Sequence, residues 1–433
     1  MTKDLLKKIA AISWPAIVIN ITTPLLAISD ITIAGHLGSA VFIAAIAVGS
    51  TLFNMLYWLL GFLRMGTTGL TAQAYGARDT AETVLIPLRA LGIALITGVA
   101  LIALQGPLCP ALLSLLDAEG ATRVLAGEYF DICIWGAPAM LGTFVLTGWF
   151  VGMQDSRTPM WISIGMDVLN IAVSVTLAIG FGMGVKGIAT GTLCSQWSGF
   201  IVSGWIFARR RSGYDKHEIS LRDFAHAGKI SRLLRINADI FLRTLCLVAV
   251  TMWFTRTGAS QGPTMLAVNA LLMQMFTLFS FFCDGIAFAA EALCGKHRGE
   301  GDEKRLGTAV RSILTVALIT ALIFSATYLL LGRDFLRLLS DDTEVVSVAG
   351  EYYLWVVFIP LAGFAAFIWD GVCIGLTHTR SMLVSMALAM ATFFACYGIA
   401  FPHMHNHGLW LAFIMYLAVR GLSLTLIWRR YLR

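Results

Sequence analysis

Long runs of apolar residues, separated by short polar clusters, recur along the whole chain. Each run is about as long as a helix needs to cross a bilayer, roughly 20 residues. Reading on that basis predicts about twelve helical spans, near 9–33, 40–66, 84–105, 124–152, 160–181, 186–208, 232–255, 263–293, 308–331, 345–376, 381–401 and 408–428. The spans 40–66, 124–152, 263–293 and 345–376 are longer than a bilayer core requires, which predicts tilt or extension beyond it.

Composition fits that pattern. The 433 residues are 58% hydrophobic and 13% charged, whereas soluble domains carry about 25% charged residues. One aqueous core could not use so much apolar surface, so lipid is the solvent for most of it. The net charge of +6 therefore does not argue for nucleic acid; it reflects Lys and Arg in connecting loops. Placing both termini in the cytoplasm puts Lys3, Lys7, Lys8, Arg78, Arg157, Lys296, Arg298, Lys304, Arg305, Arg380, Arg429, Arg430 and Arg433 inside. Only Arg123, Lys186, Arg256, Arg333 and Arg337 remain outside. The expected protein is a multi-pass membrane protein with both termini cytoplasmic. Its basic and then apolar N-terminus is too long for a signal peptide and reads as an uncleaved first span. The eight cysteines lie mostly in apolar spans with no C-x-x-C pair, so neither a disulfide framework nor a metal site is expected.

Halves of the chain resemble each other. Gly-Glu-Tyr occurs at 127–129 and again at 350–352, a shift of 223. The same shift lays Gly148, Gly152 and Arg157 on Gly371, Gly375 and Arg380. Two six-helix halves in the same orientation follow, because an even number of spans returns the chain to its starting side. The expected organisation is an N-terminal bundle at 1–208, a basic cytoplasmic linker at 209–231 and a C-terminal bundle at 232–433. The Gly148–Gly152 and Gly371–Gly375 pairs read as helix-packing faces.

Charges within apolar spans are costly and usually face a cavity or a partner. The candidates are Asp30, Arg64, Asp131, Asp167, Asp239, Arg243, Asp284, Glu291, Asp370 and Arg420. Helical spacing gathers several of them into stripes: Asn20, Thr23, Ala27 and Asp30; Ser163, Asp167, Asn170 and Ser174; and Thr277, Asp284 and Glu291, with Asn269 further back. Blander readings stand beside these. Asp239 and Arg243, four apart, suit a local ion pair; Arg64, Glu291 and Arg420 suit snorkelling at span ends; Asp131 suits a solvated outer end. Asp30 has no cation near it in sequence, and Pro24 removes a backbone donor just before it. Such a carboxylate is a candidate to exchange a proton.

With PLLAISDITIAGHLG, FLRMGTTGLTAQAYGARD, LLRINADIFLRTL, AVNALLMQMF, DGIAFAAEALCG and WDGVCIGLTHTRSM in place, the chain resembles the multidrug and toxic compound extrusion (MATE) family, and within it the DinF-like branch. The resemblance covers nearly the whole chain. It implies an all-α, polytopic membrane protein of about twelve transmembrane helices in two pseudo-symmetric six-helix bundles around a central cavity. It also implies export of amphipathic, often cationic compounds in exchange for protons or sodium ions. By that resemblance Asp30 is the first-helix acid, Pro15 the proline of helix bending, Asn170 the fifth-helix amide and Thr192 the sixth-helix hydroxyl. Many relatives carry a second aspartate four residues after the amide, where this chain has Ser174; its acid is one turn the other way, at Asp167. That shift weakens a sodium site and leaves proton coupling intact. Asp239, Asp284 and Asp370, with Arg243 and Glu291, are the C-half candidates for substrate or a second ion.

The expectation is thus a proton-coupled exporter that binds a small amphipathic molecule, H+ and lipid. It needs no cofactor, metal or nucleic acid, and acts as a monomer. A sodium-coupled exporter and a lipid-linked oligosaccharide flippase are the alternatives; the flippase would need more membrane Arg and Lys than occur here. A membrane enzyme lacks support, since neither H-E-x-x-H nor G-x-S-x-G is present. A passive channel is separated from these by a test for uphill transport.

Overall fold

A computed structural model describes residues 3–116, 119–211 and 221–431. Twelve long helices follow one another: α1 (Lys3–Gly35), α2 (Ala40–Gly76), α3 (Thr80–Ala103), α4 (Gly120–Gly152), α5 (Arg157–Gly180), α6 (Val185–Arg211), α7 (Ala227–Ser260), α8 (Pro263–Gly299), α9 (Glu303–Leu339), α10 (Thr343–Gly375), α11 (Thr379–Met404) and α12 (Asn406–Tyr431). They match the predicted spans one for one. Among the described residues, ten are long and apolar enough to cross a membrane. The other two, α6 and α7, run for 27 and 34 residues but are more polar. Thr192, Ser195 and Gln196 interrupt the apolar face of α6, and Lys229, Arg232 and Arg235 open α7. Two short helices, Gln105–Leu115 and Leu221–Phe224, were not expected from the pattern. Much of the linker expected at 209–231, residues 212–220, lies outside the described residues.

The helices gather into two compact units. One comprises residues 18–237, and the other residues 1–17 with 238–433. Both α1 and α7 therefore contribute to each unit. In the first unit, Asn237 of α7 lies against Gly66 of α2; in the second, Ser13 and Ile17 of α1 lie against Gly285 of α8. Each unit thus receives the opening turns of the other half's first helix.

Repetition extends to atomic detail at the same shift of 223. Asp79 caps α3 by accepting from the Glu82 N–H at 2.9 Å, and Asp302 caps α9 by accepting from the Arg305 N–H at 2.9 Å. Before each cap, Arg78 and Gly301 take left-handed backbone conformations, with φ of 57° and 71°. The α4–α5 and α10–α11 connections repeat the device at Gln154 and Thr377, with φ of 68° and 56°. Each of these closes its preceding helix through paired backbone bonds, Asp155 N–H to Phe150 O and His378 N–H to Cys373 O.

The glycine pairs close the same interface twice. A Cβ on Gly148 would press into the Arg64 carbonyl, and one on Gly371 would lie 2.5 Å from the Ala287 carbonyl. One turn on, Gly152 faces the Thr68 carbonyl and Gly375 the Glu291 carbonyl. Residues 64 and 68 correspond to 287 and 291 at the shift of 223, so α4 packs on α2 as α10 packs on α8. Close approach of two backbones requires glycine at both steps.

Candidate ion-coupling site

In the unit built from residues 18–237, α1 places the buried Asp30 near side chains of α4 and α5. Its side chain is 4% exposed, and its Oδ1 atom finds no hydrogen-bond partner among the described residues. The charge that acts on it is that of Asp167 on α5. Tyr129 and Cys133 on α4 lie within its electrostatic reach. Asp167 is half-buried and meets the Thr22 hydroxyl of α1. Two carboxylates facing one another without a cation make each other's charge costly.

Beside them a chain of hydrogen bonds ties α5 to α6. Asn170 donates from Nδ2 to the Thr192 hydroxyl at 3.0 Å, and the Thr192 hydroxyl donates to the Ile188 carbonyl at 3.3 Å. Ser174 donates to that same carbonyl at 3.4 Å and stands 3.5 Å from Asn170 Oδ1. Asn170 and Ser174 are fully buried. Gly191 lets α6 come this close, since a Cβ there would run into Ser174. Immediately after Ser174 the helix widens into a π turn over Thr176–Gly180, a local irregularity common at functional sites. The five candidates Asp30, Asp167, Asn170, Ser174 and Thr192 therefore share one unit and one neighbourhood. The Thr23 side chain of the first-span stripe lies outside the described residues. Pro15 and Pro24 both lie within the continuous helix α1.

The C-half acids are arranged differently. Asp370 of α10 accepts from the guanidiniums of Arg243 on α7 and Arg420 on α12. Arg420 is 2% exposed and also lies over the Phe367 ring, 5.5 Å from its centroid. It does not snorkel; tertiary packing supplies a carboxylate that α12 itself lacks. Glu291, also 2% exposed, is likewise buried within the bundle. The local Asp239–Arg243 pair does not form either. Asp239 accepts from the Thr379 hydroxyl at 3.0 Å and pairs with Arg380 at 3.5 Å, because Arg243 is drawn to Asp370. Asp284 and Arg64 are half-buried and Asp131 is exposed. Asn269 pairs with Asn406 through two reciprocal amide bonds of 2.9 and 3.0 Å and accepts a third from Trp410, which makes it a structural clamp.

Two features escaped the sequence reading. Tyr129, noticed only as part of a repeated Gly-Glu-Tyr, reaches Asp30 and hydrogen-bonds Thr192 and Cys133. Arg89, inside the third predicted span, is 4% exposed and forks onto Glu82 at 2.9 and 3.3 Å. It also donates to the backbone carbonyls of Asp223 and Phe224, while Lys229 pairs with Glu82 at 2.5 Å. Glu82 and Arg89 are seven apart, on one helical face, and that spacing was the available signal.

Comparison with known proteins agrees with this architecture. The MatE family model matches residues 15–176 and 239–397. The chain is 37% identical over 422 residues to DNA damage-inducible protein F of Escherichia coli, covering 98% of this chain and 92% of that one. It is 23% identical over 358 residues to a probable multidrug resistance protein, NorM, of Thermotoga maritima, covering 80% and 75%. Its fold superposes on a Vibrio cholerae MATE transporter, VcmN, in the bent form, with a TM-score of 0.88 at 18% identity over 99% of this chain and 97% of that one. With its twelve helices, polar pocket and duplicated halves, the chain is a multi-pass membrane transporter, not an enzyme, and belongs to the multidrug and toxic compound extrusion family, in its DinF-like branch.

Proposed function

We propose that the protein is a secondary antiporter that exports amphipathic, often cationic compounds in exchange for protons, with Asp30 as the group that gains and loses the proton. The observation that carries this reading is the setting of Asp30: buried, lacking a hydrogen-bond partner on Oδ1 among the described residues, and facing another acid instead of a cation. When Asp30 is charged, its desolvation is uncompensated; a proton removes that cost. α1 then bends at Pro15 and Pro24, where proline cannot donate to the preceding turn. Bending narrows the cavity of the N-terminal half and expels substrate, and loss of the proton toward the cytoplasm resets it. Proton and substrate bias one two-state element, which is sufficient for coupling. Asp167, Asn170, Ser174 and Thr192 hold the pocket polar in both states.

Arginine engages Asp370, and Arg380 with Thr379 engages Asp239, which favours the N-half for the coupling ion. The same pairing counts against a flippase, because Arg243 and Arg420 are committed to a carboxylate and not to a pyrophosphate. Sodium is the second reading, favoured by the oxygens of Asn170, Ser174, Thr192 and Ile188 that converge between α5 and α6. The protein works as a monomer in the cytoplasmic membrane with both termini inside.

Substrate efflux from proteoliposomes under a pH gradient or a sodium gradient, imposed one at a time, is the decisive measurement. Uphill efflux under the pH gradient alone is expected, with at least a tenfold loss in Asp30→Asn at unchanged folding. Unchanged efflux in that variant, or efflux under sodium alone, overturns the proposal.

A further inference from the structure

The duplicated architecture provides an internal comparison, because one face of the repeat is filled in one half and hollow in the other. In the N-terminal half, α4 presents Leu146, Phe150 and Met153 at helical spacing to a packed cluster. Phe150 is fully buried there, edge-on to Trp149, with the Arg210 guanidinium 5.4 Å from its ring centroid. At the shift of 223 the corresponding residues of α10 are Trp369, Cys373 and Leu376. A thiol stands where the other half has a phenyl ring, and a cavity of about 360 Å³ opens in front of it. That volume lies within the range of small-molecule sites, roughly 300–1,000 Å³.

The cavity lining combines aromatic and polar side chains. Trp369 and Trp428 form a wall, with ring centroids 5.4 Å apart and planes tilted by 50°. The Trp369 N–H is engaged by the Thr425 hydroxyl at 2.7 Å, which fixes that ring. The lining also includes Arg298, Glu303, His378 and Ser381, from the α8–α9 and α10–α11 connections and their flanking helix ends. Glu303 is already satisfied by Arg298 at 2.5 Å. Burial first, and then the charge of Arg298, hold the His378 imidazole below its ordinary pKa. Arg298 gives one N–H to Glu303, and a guanidinium carries five donors and no acceptor, so donors are left over there. A lining with two tryptophans and a guanidinium that has donors to spare suits a flat ring with an acceptor group attached.

We infer that the C-terminal unit holds a second small-molecule site, separate from the coupling pocket, that takes a planar aromatic compound bearing one acidic group. The ring lies against Trp369 and Trp428 above Cys373, and the acid meets Arg298 and Ser381. The site is independent of which ion drives transport, since none of these side chains belongs to the Asp30 neighbourhood.

The test is equilibrium dialysis of 2-naphthoate against the full-length protein in lipid nanodiscs. One saturable site is expected. Cys373→Phe, which installs the residue that fills the N-half, is expected to weaken binding at least tenfold, whereas Cys373→Ala retains it. Arg298→Gln is expected to weaken 2-naphthoate binding tenfold and to leave binding of uncharged 2-naphthalenemethanol within twofold. If Cys373→Phe does not fold, Trp428→Leu removes the aromatic wall without overfilling the space and is expected to show the same loss. Equal 2-naphthoate binding in Cys373→Phe and the parent protein, absence of a saturable site, or preference for 2-naphthylmethylammonium overturns the inference. Proton-driven efflux in Cys373→Phe is expected to stay at the parent level, so failure of this site and failure of the coupling proposal are read separately.

Discussion

Asp370 accepts from two buried guanidiniums, so its removal leaves like charges facing each other away from water. Breaking a buried pair from one side typically costs about 3–5 kcal/mol, whereas replacing all its members with apolar groups is often neutral. Asp370→Ala is therefore expected to lower the unfolding temperature of the purified protein sharply. The triple replacement Asp370→Leu, Arg243→Met and Arg420→Met is expected to recover most of the loss. Asp155, in the α4–α5 connection, behaves as a surface charge with partners. Burial disfavours its carboxylate, but hydrogen bonds from Thr158 and Arg210 outweigh this and hold it below the usual carboxylate range. Its contribution to stability is then present above the unfolded carboxylate value, about 3.9, and is lost as pH falls through the lower folded value. Asp155→Asn is expected to flatten that acid limb in a profile of unfolding temperature against pH and to lower stability near neutrality. Asp30 differs from both, having neither a cation nor a full set of hydrogen bonds. Among the described residues, the acid given a role in transport lies where packing brings a second carboxylate, Asp167, and no cation.

Helix contacts explain why the glycine pairs recur. Gly148 and Gly371 each allow a helix to rest on the backbone of its neighbour, and the obstruction to a Cβ is a carbonyl that cannot rotate away. Gly148→Leu and Gly371→Leu are each expected to destabilise by at least the roughly 1–3 kcal/mol typical of overpacking, measured as a fall in unfolding temperature. Gly165, on α5, is different, because a Cβ added there would meet nothing within 4 Å. Gly165→Ala is expected to be neutral or to stabilise by up to about 1 kcal/mol through helix propensity. The spacing of the glycines made them recognisable as packing faces. That the two pairs close the same interface, carbonyl for carbonyl, required the folded halves.

Across the whole molecule, α1 and α7 each contribute to both compact units. The chain between the halves is held by Arg89, which grips the carbonyls of Asp223 and Phe224, and by Lys229 on Glu82. Arg89→Gln loses the charge-assisted fork and is expected to speed limited tryptic cleavage within residues 209–231 severalfold, with little change in global unfolding temperature. Unchanged cleavage would mean that the grip does not restrain this segment.

The number and order of long helices, the duplication and the polar stripes were all legible in the sequence. Bilayer thickness fixes span length, and helical periodicity fixes which residues share a face. Asp30, Asp167, Asn170, Ser174 and Thr192 could be nominated on those grounds and on family resemblance. Which charges neutralise one another could not. Arg243 lies four residues from Asp239, yet it pairs with Asp370, 127 positions away, and Arg420 joins it from another helix. Inside a membrane protein a charge takes whichever partner packing brings near it, because leaving it unpaired costs more than any local preference returns. The helices and their faces thus follow from the order of residues along the chain. Packing between distant helices decides which buried charges are compensated, which are not, and where a cysteine in place of the other half's phenylalanine leaves a cavity.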